Sequence, residues 1–207
     1  MKYLVVAVTA IAAVADWWSR WREDERVERW AKPLATIGVI GLALVSGAPT
    51  EQIVVATIAL VLCLAGDVFL MPMIDKFVFG LASFLLGHLV FVVLFVQYGL
   101  DRWWLGAVAV VMAGVLVATA GRRIVRGAAD RDSALRLPVL AYLCVISAMA
   151  VMGWATGMPW VIVGVTLFVI SDSVLGWRQF VHGARWMPVT IMVTYHGAIA
   201  SLALSLW

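Results

Sequence analysis

Charged residues are scarce in this sequence: 13% of the 207 residues are Asp, Glu, Lys or Arg, whereas 64% are hydrophobic. A soluble globular domain has about 25% charged and about 45–50% apolar residues. The surplus of apolar side chains is too large for one soluble core of this size, so lipid has to be the solvent for much of it. The net charge of +3 is too small to indicate a nucleic-acid-binding protein.

Cysteine and histidine are also rare, which argues against disulfide and metal chemistry. The two cysteines, Cys63 and Cys144, lie inside apolar runs and are interpreted as buried small hydrophobic residues, because no CxxC spacing is present. The three histidines are His88, His182 and His196, and they include no His-x-x-x-His pair. The sequence therefore predicts neither a metal site nor a cofactor.

The apolar runs predict an all-α polytopic membrane protein. Backbone polar groups in lipid must be satisfied within helices or a closed barrel. Runs such as 53–65 and 106–120 are apolar on every side, which favours helices over the alternating strands of a barrel. We predict a single domain over residues 1–207 with eight transmembrane spans, at residues 2–18, 32–48, 51–71, 76–98, 102–120, 136–156, 158–176 and 187–206.

The basic residues predict the orientation of these spans. Thirteen of the 15 Lys and Arg residues fall in the junctions on one side, and the other side has Lys2 and Arg102. By the positive-inside rule the first side is cytoplasmic, so both termini are predicted on the non-cytoplasmic side. Tryptophans cluster near the span ends, as expected for an aromatic belt. The start of the chain also resembles a cleavable signal peptide, but the five basic residues that follow it favour a retained span.

Two aspartates lie clearly inside predicted spans, namely Asp67 and Asp172. A charged residue at the centre of a membrane helix costs about 2.5–3.5 kcal/mol on insertion scales, so it needs a reason. Both lie about 7–9 Å from the predicted cytoplasmic span ends at 1.5 Å per residue. Matched depth predicts a shared cavity open to the cytoplasmic leaflet, although each carboxyl group could instead only tie its helix to a neighbour. Asp16, Asp75 and Asp101 are expected to reach water at span ends.

Other polar residues fall near the same depth and are candidates for substrate binding. Lys32 is either a partner for an aspartate or lipid phosphate, or an ordinary snorkelling anchor. His88 near mid-membrane could equally form a hydrogen bond between helices. Four helix N-termini on the cytoplasmic side favour an anionic headgroup. The candidate substrate-binding residues are Lys32, His88, Tyr142, Ser171, Tyr195 and His196.

Several of these residues lie in motifs typical of one family. The motifs are Lys32-Pro33, Gly66-Asp67-Val68-Phe69-Leu70-Met71, Phe77, Gly80, Phe84, Gly87-His88, Phe168, Ser171-Asp172 and Phe180. In this order and spacing the chain resembles the YhhN/TMEM86 family of membrane lysoplasmalogenases. One departure is Tyr195-His196-Gly197-Ala198-Ile199, where a Gln is expected after the Tyr.

The resemblance implies an eight-span hydrolase with no cofactor that cleaves the vinyl ether bond of lysoplasmalogens. The products would be a fatty aldehyde and glycerophospho-ethanolamine or -choline. It implies that Asp67 and Asp172 are catalytic, and that a lysophospholipid is bound in a cell membrane, most simply a bacterial plasma membrane. One protonated Asp would donate a proton to the vinyl ether, and the other, ionised, would stabilise the cation and activate water.

Two other classes of function stay open at this stage. A transporter would use Asp67 and Asp172 as a proton or cation relay, and it would be expected to have broken spans and inverted repeats. A zinc-dependent hydrolase of the ceramidase type would need several converging histidines. The oligomeric state does not follow from the sequence.

Overall fold

The computed structural model describes residues 2–207, and over this range the chain is a bundle of α-helices with no β-strand. Eight helical stretches run the length of the bundle, and one of them is divided by a π-helical turn. The helices are α1 (Lys2–Arg22), α2 (Glu25–Leu44), α3 (Thr50–Phe69), α4 (Phe77–Tyr98), α5 (Trp103–Leu116), α6 (Arg122–Arg131), α7 (Arg136–Ala155), α8 (Pro159–Phe180) and α9 (Met187–Leu204).

The packing of these helices confirms a polytopic helical membrane bundle. Within residues 2–207, seven helical stretches are long and apolar enough to cross a membrane: α1, α3, α4, α5 with α6, α7, α8 and α9. Three pairs of consecutive helices pack most closely: α1 with α2, α3 with α4, and α8 with α9. Helix α9 is the most enclosed, because it also packs against α1 and α2.

Helix α2 differs from the predicted second span in its start and its composition. It begins at Glu25 rather than at residue 32, because Asp24 caps it by accepting hydrogen bonds from the amides of Arg26 and Val27. Lys32 is therefore about two turns inside the helix instead of at its start. The charged first turns keep α2 below the apolar composition of the other seven stretches, so its status as an eighth span stays a prediction.

The segment between the fifth and sixth predicted spans, residues 121–135, is largely helical. A π-helical turn over Val117–Gly121 connects α5 directly to α6. Helix α6 is amphipathic: Ile124 and Ala128 are buried, whereas its arginines are exposed. The apolar face of α6 packs on α8 and α7, which explains why this basic segment folds as a helix.

The junctions that carry most of the basic residues meet at one end of the bundle, which we call the basic end. The contacts that join them are Arg185 over the Trp21 ring at 5.6 Å, Arg131 donating to the Gln179 carbonyl at 3.3 Å, and Phe77 edge-on to Phe180 at 5.4 Å. The clustering agrees with the charge pattern of the sequence. The side of the membrane on which this end lies stays a prediction.

The two cysteines differ in their surroundings. Cys63 is buried in the main hydrophobic core, as expected. Cys144 is exposed on the outside of the bundle, so the prediction that it is buried is wrong. It lies on a lipid-facing side of α7, where an apolar side chain is as well suited as in a core.

Candidate functional site

A cavity of about 520 Å³ lies between α5–α6, α7 and α8, with α4 closing one side. It is lined by residues from Thr166 to Phe180 on α8 and from Val139 to Trp154 on α7. At 1.5 Å per residue, both stretches measure about 21–22 Å. The lining is apolar apart from a few hydroxyl groups, Tyr142 and Asp172.

The cavity opens sideways toward lipid between α5 and α8. Three of its lining residues are also exposed on the outer surface of the bundle, with exposures of 66% for Val111, 60% for Val115 and 42% for Ile170. Helix α5 packs on α7, and its neighbour α6 is the part that packs on α8. An opening therefore remains along α5, on the outer side of the bundle where these three residues are exposed.

Asp172 presents its carboxyl group to this cavity. Its side chain is 11% exposed, and its Oδ2 accepts a hydrogen bond from the Tyr142 hydroxyl at 2.5 Å. His88 Nε2 lies 3.9 Å from the same oxygen, beyond hydrogen-bond distance. His88 is fully buried, and neither of its ring nitrogens has a hydrogen-bond partner in the described residues. The site thus combines one carboxyl, one phenol and one unengaged imidazole.

Asp67 lies in a separate polar cluster between α2, α3 and α9. Its Oδ2 accepts hydrogen bonds from Thr36 Oγ1 and from the Tyr195 hydroxyl, each at 2.7 Å. Its Oδ1 is 3.5 Å from Lys32 Nζ. Both members of this ion pair are buried, with Asp67 only 1% exposed. A buried charge requires a partner and hydrogen bonds, and Asp67 has both.

Aromatic rings connect the two carboxylate clusters. Tyr195, which donates to Asp67, has its ring centroid 5.8 Å from that of Phe168 and 5.7 Å from that of Phe84. Phe168 in turn packs edge-on against His88 at 4.8 Å, next to Asp172. A layer of packed rings therefore lies between Asp67 and Asp172.

This arrangement corrects the expectation of one cavity shared by both aspartates. Asp172 lines the cavity, whereas Asp67 does not. The reason is the rotation of α3 about its own axis, which directs the side chain of Asp67 toward α2 and α9, where it contacts Lys32 and Tyr195. Matched depth along two helices does not determine which neighbours their side chains face.

Of the other candidate residues, four belong to the two carboxylate clusters and two form hydrogen bonds that join neighbouring helices. Lys32 and Tyr195 contact Asp67, while Tyr142 and His88 lie at Asp172, as just described. Ser171 is buried and donates to the Ile191 carbonyl at 3.0 Å, so it ties α8 to α9 away from the cavity. His196 Nδ1 accepts from Trp17 Nε1 at 3.0 Å, which ties α9 to α1.

Two buried polar residues, Thr36 of the Asp67 cluster and Asp16 of α1, were absent from the sequence-based candidates. Thr36 follows Lys32 by four residues and so shares its helix face, a spacing that would have identified it. Asp16 was expected to reach water at a span end, and this is wrong: it is fully buried because α1 continues to Arg22. Neither carboxyl oxygen of Asp16 has a hydrogen-bond partner in residues 2–207.

The three histidines lie apart from one another. His88 is next to Asp172, His196 accepts from Trp17, and His182 accepts from Trp177 Nε1 at 2.8 Å. Across residues 2–207, no three His, Cys, Asp or Glu side chains converge in a way that could hold a metal ion.

Comparison with known proteins assigns this chain to a family. The model of the YhhN family matches residues 27–206. The chain belongs to the YhhN family. The match includes both carboxylate clusters but not Asp16 or Trp17, which lie before it.

Two relatives of this YhhN protein are named lysoplasmalogenase, one from Mycobacterium bovis and one from Mycobacterium tuberculosis. Each is 34% identical over 128 residues, which is 59% of this chain and 48% of the relative. The aligned segment thus spans about half the length of these relatives. No solved structure matches the chain.

Proposed function

We propose that this YhhN protein is a membrane lysoplasmalogenase, which hydrolyses the vinyl ether bond of lysoplasmenyl-ethanolamine or -choline. The observation that carries the proposal is the carboxyl group of Asp172 on the wall of an apolar cavity that opens toward lipid. The names of the two mycobacterial relatives support the same reaction. The products are a fatty aldehyde and a glycerophospho-base.

The reaction needs one proton donor next to an apolar chain. Protonated Asp172 donates its proton to the vinyl carbon that is not bonded to oxygen, and the adjacent carbon and the oxygen become an oxocarbenium ion. Water adds to that carbon and gives up a proton to the Asp172 carboxylate, giving a hemiacetal. Collapse of the hemiacetal breaks the carbon–oxygen bond, and the hydroxyl proton passes to the leaving glycerol oxygen. The carboxyl group ends the cycle as it began, so no external acid is consumed.

We assign general acid and base chemistry to Asp172 because it is the acidic residue that lines the cavity in the part of the chain the structure describes. In the described residues, the hydrogen bond from Tyr142 is made to Oδ2 of Asp172, so Oδ1 has no protein partner and can carry the proton that is transferred. A positioned proton donor contributes about 10²–10⁴-fold to the rate. Tyr142 orients this carboxyl group, and His88 is close enough to support it after a small rotation.

Asp67 is proposed to act on this chemistry indirectly. Its oxygens are occupied by Lys32, Thr36 and Tyr195, so it is proposed as the ionised carboxylate of the pair. Through Tyr195 it fixes the ring layer that packs against His88. This changes the two-acid hypothesis: Asp172 takes part in the reaction, and Asp67 positions the aromatic rings that pack against His88.

Access to substrate is proposed to be lateral, from the leaflet at the basic end of the bundle. A single-chain lipid in that leaflet has its headgroup near the arginines of α6, and Gly121 and Ile124 beside them line the cavity. Negatively charged phosphate is attracted to such residues. The multi-pass bundle is proposed to lie in a cell membrane.

The test uses purified protein in detergent with lysoplasmenyl-ethanolamine, and aldehyde release is measured with a coupled alcohol dehydrogenase. Wild-type protein is expected to release aldehyde, and Asp172→Asn to lose at least about 10²-fold, the lower value for a proton donor. Asp101→Asn is the matched carboxyl control and should retain activity, because Asp101 lies at the end of the bundle opposite the basic end. No aldehyde from the wild type, or full activity in Asp172→Asn, would contradict the proposal.

A further inference from the structure

The cavity continues well past Asp172, away from the basic end. We call this part the distal arm; its walls are Ala109, Ala113, Ile146, Ala150, Trp154 and Thr166. Trp154 and Thr166 are the lining residues farthest from the basic end on α7 and α8. The Trp154 indole Nε1 donates to Thr166 Oγ1 at 3.1 Å, so the two residues join α7 to α8 at the end of the arm.

The distances along α8 and α7 give a lower and an upper bound for the length of the distal arm, and the length of one lipid chain falls between them. Along α8, Asp172 to Thr166 measures about 9 Å, and along α7, Tyr142 to Trp154 measures about 18 Å, at 1.5 Å per residue. One leaflet accounts for half of a hydrocarbon core of about 30 Å, so a chain in it extends about 15 Å. The arm also runs in the direction of such a chain, along α7 and α8 and away from the basic end.

We propose that the distal arm receives the alkyl chain of the substrate and that the Trp154–Thr166 bridge sets the longest chain that fits. The inference rests on the proposed function and adds a specificity-determining residue, Trp154. The chain moves from lipid into an apolar arm, so transfer out of water contributes little to the selection. Selection comes from fit, because a chain that is too long has to displace the indole or bend out through the side opening.

The expected size of this selection follows from the cost of overfilling a packed site. Inserting extra methylene groups into a packed core typically lowers an equilibrium constant by roughly 5- to 150-fold. We therefore expect kcat/KM of the wild type to fall by this factor once the chain exceeds the arm. Chains that are shorter by a few carbons lose contacts without a clash, so their decline is expected to be more gradual.

The experiment measures kcat/KM for lysoplasmenyl lipids whose alkenyl chains increase in length by two carbons. Trp154→Ala removes the end wall and should move the upper limit to longer chains by at least two carbons. Ala150→Leu fills the arm one turn before Trp154 and should move the limit to shorter chains. Trp160→Ala is the control, because Trp160 is an exposed tryptophan at the start of α8 that does not line the cavity.

A second measurement separates this inference from the proposed function. Lysophospholipids with a saturated ether chain lack the vinyl bond, and their binding to the purified protein is measured by native mass spectrometry. Binding that depends on chain length and shifts in Trp154→Ala, without hydrolysis of any vinyl ether, would support the arm and refute the proposed reaction.

Hydrolysis with the same chain-length profile in wild type, Trp154→Ala and Ala150→Leu would refute the arm and leave the reaction standing. If Trp154→Ala does not fold, Ala150→Leu decides alone: a shorter limit supports the inference, and an unchanged limit overturns it.

Discussion

The buried pair of Lys32 and Asp67 predicts that removal of Asp67 destabilises the protein more than removal of Asp172. Asp67→Asn keeps the size of the side chain but leaves the Lys32 charge buried, 3.5 Å from a neutral amide. Breaking a buried ion pair by removing one partner costs about 3–5 kcal/mol. For chains of 150–250 residues, 1 kcal/mol corresponds to about 2–4 °C, so the unfolding midpoint should fall by roughly 6–20 °C.

The assay is thermal unfolding in detergent, followed by the loss of the monodisperse peak in size-exclusion chromatography. Asp172→Asn is the matched comparison, because Asp172 contacts Tyr142 and His88 and forms no ion pair with a lysine or arginine in the described residues. The double variant Lys32→Met with Asp67→Asn removes both charges and should recover part of the lost stability, which gives a coupling energy. Equal midpoints for Asp67→Asn and Asp172→Asn, or purely additive losses in the double variant, would refute the reasoning.

Two further predictions follow from individual contacts. Tyr142→Phe should lower kcat/KM by about 10- to 150-fold, which is the equivalent of losing a hydrogen bond to a charged group. The control is Tyr98→Phe, because the Tyr98 hydroxyl pairs with Ser205 at 3.0 Å outside the cavity. Equal activities of the two variants would contradict the role of Tyr142. Gly127→Ala should lower the unfolding midpoint, since its Cβ would overlap the backbone carbonyl of Phe180, whereas Gly114→Ala, with no atom within 4 Å of its Cβ, should raise it slightly through helix propensity. A stable Gly127→Ala variant would show that α6 is not packed closely on α8.

Much of the architecture could be predicted from the sequence because lipid imposes strong constraints. Uninterrupted apolar runs form helices in a bilayer, and a carboxyl group inside such a run is costly enough to indicate a functional or structural role. Those two rules identify Asp67 and Asp172, and they locate the helices to within a few residues except at the start of α2 and beyond the end of α5. Lys32 Nζ lies 3.5 Å from Asp67 Oδ1, which agrees with the interpretation of Lys32 as a partner for an aspartate.

The remaining features depend on how each helix is rotated against its neighbours. Whether Asp67 faces the cavity or α2 is decided by packing between helices that are distant in sequence, and depth alone carries no such information. Asp16 was misjudged for a related reason, because its burial requires α1 to continue beyond the predicted span and to pack against α2. The helical path through α5 and α6 depends on the contact of α6 with α8, which no local pattern of charges reveals.

The position of Lys32 two turns inside α2 has a consequence for how the chain enters the membrane. A lysine costs up to about 2.5–3.5 kcal/mol on insertion scales, the value for the centre of an inserting helix, and α2 is less apolar than the other long helices in residues 2–207. Its neutralising partner, Asp67, lies near the end of α3 and emerges from the ribosome only after α2 is complete. We therefore expect α2 to partition stably into lipid only together with α3, as a helical hairpin whose two buried charges cancel.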